Sequence, residues 1–134
     1  AALSPDGRWM AYQSNESARP EIYVRNLETG SRTQISTASG EEPHWAPDGR
    51  ALYYRNANLL NMVPIQTGAK LQAGTAKTFV TDIFDLRSNS GLTFDVNRTD
   101  GRILMIRPPK DQSATTIKVV LNWFAELRRL ATTK

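Results

Sequence analysis

"LSPDGRWMAYQSN" occupies Leu3–Asn15, and "HWAPDGRALYYRN" occupies His44–Asn56. The two are nearly one phrase, written 42 residues apart when aligned on Gly7 and Gly49. A weaker third version, "FDVNRTDGRILMIRP", occupies Phe94–Pro108. Its Gly101 lies a further 52 residues on, and Thr99 stands where the other copies have proline. Self-similarity at such a period marks a repeat architecture, each copy being one supersecondary unit.

The shared core is turn chemistry. Pro5 presets φ for the first turn position, Asp6 can bond back to the local backbone, and Gly7 suits the left-handed conformation that closes a short hairpin. Pro47, Asp48 and Gly49 take the same roles, as do Asp100 and Gly101 in the third copy. Apolar strands follow each turn: Trp9–Gln13, Ala51–Tyr54 and Ile103–Ile106. Their near-continuous apolar character predicts strands covered on both faces. Further strands are predicted at Glu21–Leu27, Arg32–Ser36, Asn58–Ile65 and Ala76–Phe84, with a turn-rich segment before the last of these.

Each unit therefore reads as four short antiparallel strands, the content of one β-propeller blade. The predicted fold is all-β: a partial β-propeller of about three four-stranded antiparallel blades with a short C-terminal α-helix. The blades are placed at 1–38, 39–84 and 85–121. The helix is placed at 122–131, where Asn122 is a suitable N-cap and Arg128 and Arg129 suit the negative end. Propellers close with roughly 4–8 blades. Three units fall short, so the expectation is the C-terminal part of one larger propeller, with its remaining blades as partners.

Composition narrows the function classes. Of 134 residues, 40% are hydrophobic and 22% charged, which is globular composition. No apolar run reaches bilayer-spanning length, so this segment is not expected to insert into a membrane. There is no cysteine, which removes disulfides and thiolate chemistry. The net charge of +4 is scattered over separate segments rather than gathered into the basic stripe of a nucleic-acid binder.

The stretch "LSPDGRWMAYQSNESARPEIYVRNLETGSRTQIS" resembles the SPDG-type repeat of TolB-like propellers, which are WD-repeat-like. Ser4-Pro5-Asp6-Gly7 matches the turn, Met10-Ala11-Tyr12 the apolar strand, and Ile22-Tyr23 the "IY" pair of the next strand. The ending "VVLNWFAELRRL" is similar to the tail of bacterial proteins in which this propeller follows a serine/threonine kinase domain and a membrane span. The resemblance implies a non-catalytic interaction or sensor module of a bacterial signalling protein, in its periplasmic or extracytoplasmic part. Two other readings are a periplasmic TolB-like protein-binding scaffold and the accessory propeller of a prolyl-oligopeptidase-type serine peptidase.

The residues themselves suggest presentation rather than chemistry. Asp6, Asp48 and Asp100 belong to different blades, so they are expected to lie around a ring without converging. His44 is the one histidine and cannot build a His-rich metal site. There is no G-x-S-x-G and no kinase signature set. No catalytic residue, metal or cofactor is therefore expected. The strand aromatics read as inter-blade packing. The sequons at Asn15 and Asn97 read as chance matches. If the PDG turns share one face, the loops Ser14–Pro20 and Thr37–Pro43 form the other. Glu16, Arg19, Glu41, Glu42 and His44 are the candidate contacts there for a protein or small-molecule ligand.

Overall fold

The computed structural model describes residues 1–81 and 92–105. The first unit is a four-stranded sheet of β1 (Ala2–Leu3), β2 (Trp9–Ser14), β3 (Glu21–Asn26) and β4 (Arg32–Gln34), antiparallel and in sequence order. The second unit runs β5 (Glu41–Trp45), β6 (Ala51–Asn56) and β7 (Leu59–Gln66). Its outer edge is split: β8 (Gln72–Ala73) and β9 (Lys77–Val80) pair with different halves of β7. The turn-rich segment ahead of the expected fourth strand thus supplies a strand piece itself. The third unit contributes the hairpin of β10 (Phe94–Val96) and β11 (Ile103–Met105). The described chain is all-β and partial-propeller in form. The expected helix at 122–131 and the rest of the last blade lie outside the described residues.

The two PDG turns, at Ser4–Gly7 and Ala46–Gly49, have one geometry. Gly7 N–H donates to Ser4 O and Gly49 N–H to Ala46 O, each at 2.9 Å. Ser4 N–H then closes on Trp9 O, and Ala46 N–H on Ala51 O. Gly7 and Gly49 have φ of 71° and 70°, the left-handed region that glycine enters without a Cβ penalty. Asp6 and Asp48 accept the N–H of Arg8 and Arg50 through Oδ1. The Ser4 hydroxyl (2.5 Å) and then the Arg8 N–H hold the Asp6 carboxyl below its ordinary range.

The third turn differs by more than its missing proline. Gly101 N–H reaches back four residues to Asn97 O, and Asn97 N–H closes on Arg102 O. That is the pattern of Asn26-Leu27-Glu28-Thr29-Gly30-Ser31 between β3 and β4. In both, the asparagine Oδ1 caps the turn, accepting from Thr99 N–H in one and from Glu28 and Thr29 N–H in the other. The glycine alignment is therefore one residue out in the third copy. A one-residue slip exchanges the two faces of a strand. Ile103, not Leu104, takes the position of Met10 and Leu52, and Leu104 stands 76% exposed.

Each sheet has a face toward the preceding unit, here the leading face, and a trailing face toward the next. The trailing residues Trp9, Ala11, Ile22 and Val24 join the leading residues Trp45, Leu52, Tyr54, Val63 and Ile65 in one buried cluster. Leu60, with Tyr53 beside it, repeats the arrangement against Phe94, Val96, Ile103 and Met105. Burial in β2 alternates instead of being continuous, because no described element covers the leading face of the first sheet. The turns stack as well: Pro5 lies against Gly49 and Pro47 against Gly101, each within van der Waals reach of a Cβ placed there. Asp6 and Asp48 consequently border one small recess of about 100 Å³, with Ser4, Pro5, Gly49 and Thr67. Each aspartate is nonetheless bonded within its own turn, in its own unit.

Gly40, just ahead of β5, packs closely on the first unit. A Cβ there would lie 2.6 Å from Ser36 Oγ and 2.7 Å from Ile22 Cγ1, both buried. Gly40→Ala should destabilise the chain by about 1–3 kcal/mol through overpacking. A lowered urea midpoint with unchanged slope would show it; an unchanged midpoint would mean the loop relaxes freely.

Candidate functional site

The PDG turns, the Asn26–Ser31 turn and Thr67 mark one end of the sheets. The opposite end holds the β2–β3 loop, the segment from Ser36 to Gly40, and the tight β6–β7 turn at Ala57 and Asn58. Asn56 Nδ2 donates to Ala38 O at 3.0 Å and ties two of these together. The candidate residues Glu16, Arg19, Glu41, Glu42 and His44 fall at this end or on the first strand of the second sheet.

Glu41, Glu42 and His44 are gathered by a β-bulge. The β5–β6 register shifts between Glu41 and His44, and Glu42 adopts a φ of 52°. A left-handed glutamate costs about 1 kcal/mol or more, so its surroundings must hold it. They do: Glu42 Oε1 accepts from Arg55 Nε at 3.0 Å. Its Oε2 accepts from Thr93 N–H at 2.7 Å and Thr93 Oγ1 at 2.8 Å. Arg55 Nη2 also pairs with Glu41. Glu42 thus bolts the second unit to the third.

His44 sits beside this bolt. Its ring tilts against Phe94 with centroids 4.6 Å apart, and Nδ1 lies 3.5 Å from Asp95 Oδ1. Burial pushes its pKa down, outweighing the opposing pull of Asp95 and Glu42. The ring is therefore neutral at pH 7, and its buried Nε2 has no hydrogen-bond partner among the described residues. Arg55 pairs with both Glu41 and Glu42 here, and the charges of Asp95, Glu42 and Arg98 all reach His44.

Glu16 and Arg19 do not join that cluster. Glu16 pairs with Arg32 beside a shallow open recess of about 410 Å³, bordered also by Ser17, Tyr23 and Gln34. Arg19 donates to Thr37 O and, at 2.7 Å, to Glu21 Oε1. It staples two loops together instead of standing free. Glu21 itself is completely buried and also takes the Ser36 hydroxyl and the Ser39 N–H at 3.1 Å. Arg55, Thr93 and Asp95 went unread in the sequence. Only the repeat register, which sets β10 beside β5, could have flagged the last two.

The comparisons fit this architecture. Over 39 residues, 29% of this chain and 9% of the relative, the chain is 54% identical to the Tol-Pal system protein TolB of Hahella chejuensis. Over 52 residues it is 50% identical to TolB of Alcanivorax borkumensis, covering 37% of this chain and 12% of that one. The matched stretch is similar to a segment of TolB. TolB of Methylococcus capsulatus matches at 54% over 39 residues. The matches therefore span about a tenth of each TolB protein, roughly one blade. No family model and no solved structure matches the chain. Among the described residues, no three His, Cys, Asp or Glu side chains converge in a way that could hold a metal ion.

Proposed function

We propose that this chain is a non-catalytic protein-binding part of a TolB-like propeller, acting as a scaffold in an extracytoplasmic assembly of the Tol-Pal kind. The observation that carries this reading is the identity of half or more to TolB across a whole repeat. The geometry is consistent with it. Rigid stacked sheets hold short loops at one end, the arrangement in which a scaffold positions variable contact residues. A protein partner is favoured over a small molecule, because the larger recess is shallow and open while ligand pockets enclose most of their ligand. A place downstream of a serine/threonine kinase rests only on the ending "VVLNWFAELRRL", which lies outside the described residues.

The test is binding of the full chain to the soluble components of its own Tol-Pal-like set, by surface plasmon resonance. Replacing Asn15 and Glu16 together by alanine removes exposed loop chemistry and one surface ion pair, worth about 1 kcal/mol or less, and leaves the Ser17–Tyr23 hydroxyl hydrogen bond in place. A loss of affinity of about tenfold or more is expected, with no loss for Glu28→Ala at the opposite end. Equal affinity for all three proteins would remove the loop end from the interface. No binding to any component would remove the scaffold reading.

A further inference from the structure

Among the described residues, one buried side-chain nitrogen lacks a hydrogen bond: Nε2 of His44. Buried polar atoms are nearly always paired, so the exception marks a group held against its own chemistry. His44 pairs with Tyr53 of β6, and its ring lies against Phe94 of β10 with 4.6 Å between centroids. The His44 side chain is 15% exposed and Phe94 is 3% exposed, so the contact lies inside the joint between the second and third units. Nδ1 faces Asp95 Oδ1 at 3.5 Å. A carboxylate only accepts, so Nδ1 holds the single proton of the neutral ring and Nε2 keeps a bare lone pair.

We infer that His44 makes this joint acid-sensitive: protonation turns the ring out of its seat against Phe94 and loosens the third unit from the second. The inference stands apart from the scaffold reading, since it concerns one contact between two described sheets. A second proton would sit on Nε2, a buried place with no acceptor among the described residues. Burying a charged, unpaired N–H costs more than burying a neutral lone pair. The charges around the ring do not offset this cost. Asp95 and Glu42 attract the imidazolium, while Arg98 and the amino-terminal group repel it. Asp95 is 73% exposed, so water screens it, and its Oδ1 already accepts Val96 N–H at 2.8 Å. Glu42 is tied to Arg55 of β6 and to Thr93, and Arg55 also holds Glu41. The net displacement of the His44 pKa is downward from 6.5. Between its folded value and 6.5, the loosened chain therefore binds more protons than the closed one. The stability of the joint is full above 6.5 and is lost as pH falls below it.

His44 is the single histidine, so its Cε1–H NMR signal is unambiguous in the full chain. Its titration midpoint should lie below 6.5. Native hydrogen exchange, corrected for the intrinsic rate at each pH, reads the consequence for the joint. One group with an open-state value of 6.5 can shift an opening equilibrium by at most about tenfold between about pH 7.5 and 5.5. Protection of Phe94–Val96 should fall by about threefold to tenfold over that range, and protection of β2 and β3 by less than about twofold. His44→Phe keeps a ring against Phe94 without a titrating nitrogen, and His44→Gln removes ring and charge together. Both should lose the pH step in Phe94–Val96. The wild-type titration still decides the matter if either variant folds poorly. A midpoint at or above 6.5 overturns the inference. So does an equal loss of protection in β2, β3 and β10, or a pH step that survives in both variants.

Discussion

Trp45→Ala should cost about 3–5 kcal/mol, the usual range for removing a buried tryptophan. Trp45 ends the first strand of the second sheet, is only 7% exposed, and belongs to the cluster that joins the first two units. Its indole Nε1 donates to Ala2 O at 3.2 Å, across the joint. The substitution therefore empties the joint and leaves a carbonyl of the first sheet without its donor. Ala2 belongs to β1, a strand of two residues whose own pairing to β2 is slight. Chemical denaturation checks the size of the loss. Hydrogen exchange checks its location: faster exchange in residues 1–26 than in 59–66 is expected. Uniform exchange, or a loss below about 1 kcal/mol, would mean that the units do not depend on this contact.

Glu21→Gln should destabilise the chain at pH 7 by about 2 kcal/mol, since hydrogen bonds to a charged group are worth more than neutral ones. Burial alone would push the Glu21 carboxyl up. The Ser36 hydroxyl, the Ser39 N–H and Arg19 outweigh it, and the net shift is downward from 4.5. A carboxyl lowered on folding adds stability that is full above its unfolded value and is lost as pH falls through the folded value. The difference between wild type and Glu21→Gln should therefore be constant from pH 7 to about 5 and shrink below about 4.5. Urea midpoints across that range measure it. A difference that grows on acidification would reverse the sign of the shift and remove Glu21 as the anchor of the two loops. The same carboxylate adds to the raised pKa of buried Tyr54, in which desolvation is the larger cause. The anchor is therefore felt in the second sheet.

How far the sequence could be read depended on the range of the interaction. Pro5, Asp6 and Gly7 act within a few residues, so their turn is legible in four letters. So is its copy at Pro47–Gly49. The third turn was legible as a turn but not in register. Asn97 moves the closing pair by one residue relative to Gly101, and no local residue count reveals that. Leu104 and Ile103 exchange faces as a result. The candidate contacts were legible as polar residues near the loops, but not by role. Arg19 and Glu21 lie two residues apart, yet what unites them is the loop beyond β4, at Ser36–Ser39. Glu42 looked like a rim residue. Its partner Thr93 is 51 residues away.

The sequence by itself determined the repeat, the hairpin at the head of each unit, the all-β class and the likeness to TolB. These follow from turn stereochemistry and strand patterning, which are properties of short segments. The tertiary structure decided which face of each strand is covered, that successive turns stack proline on glycine, and that Glu42 joins two units at the cost of a left-handed backbone. These depend on one sheet meeting another, and neighbouring sheets are brought together by burial of whole faces, a sum over residues too distant in sequence to specify one another locally.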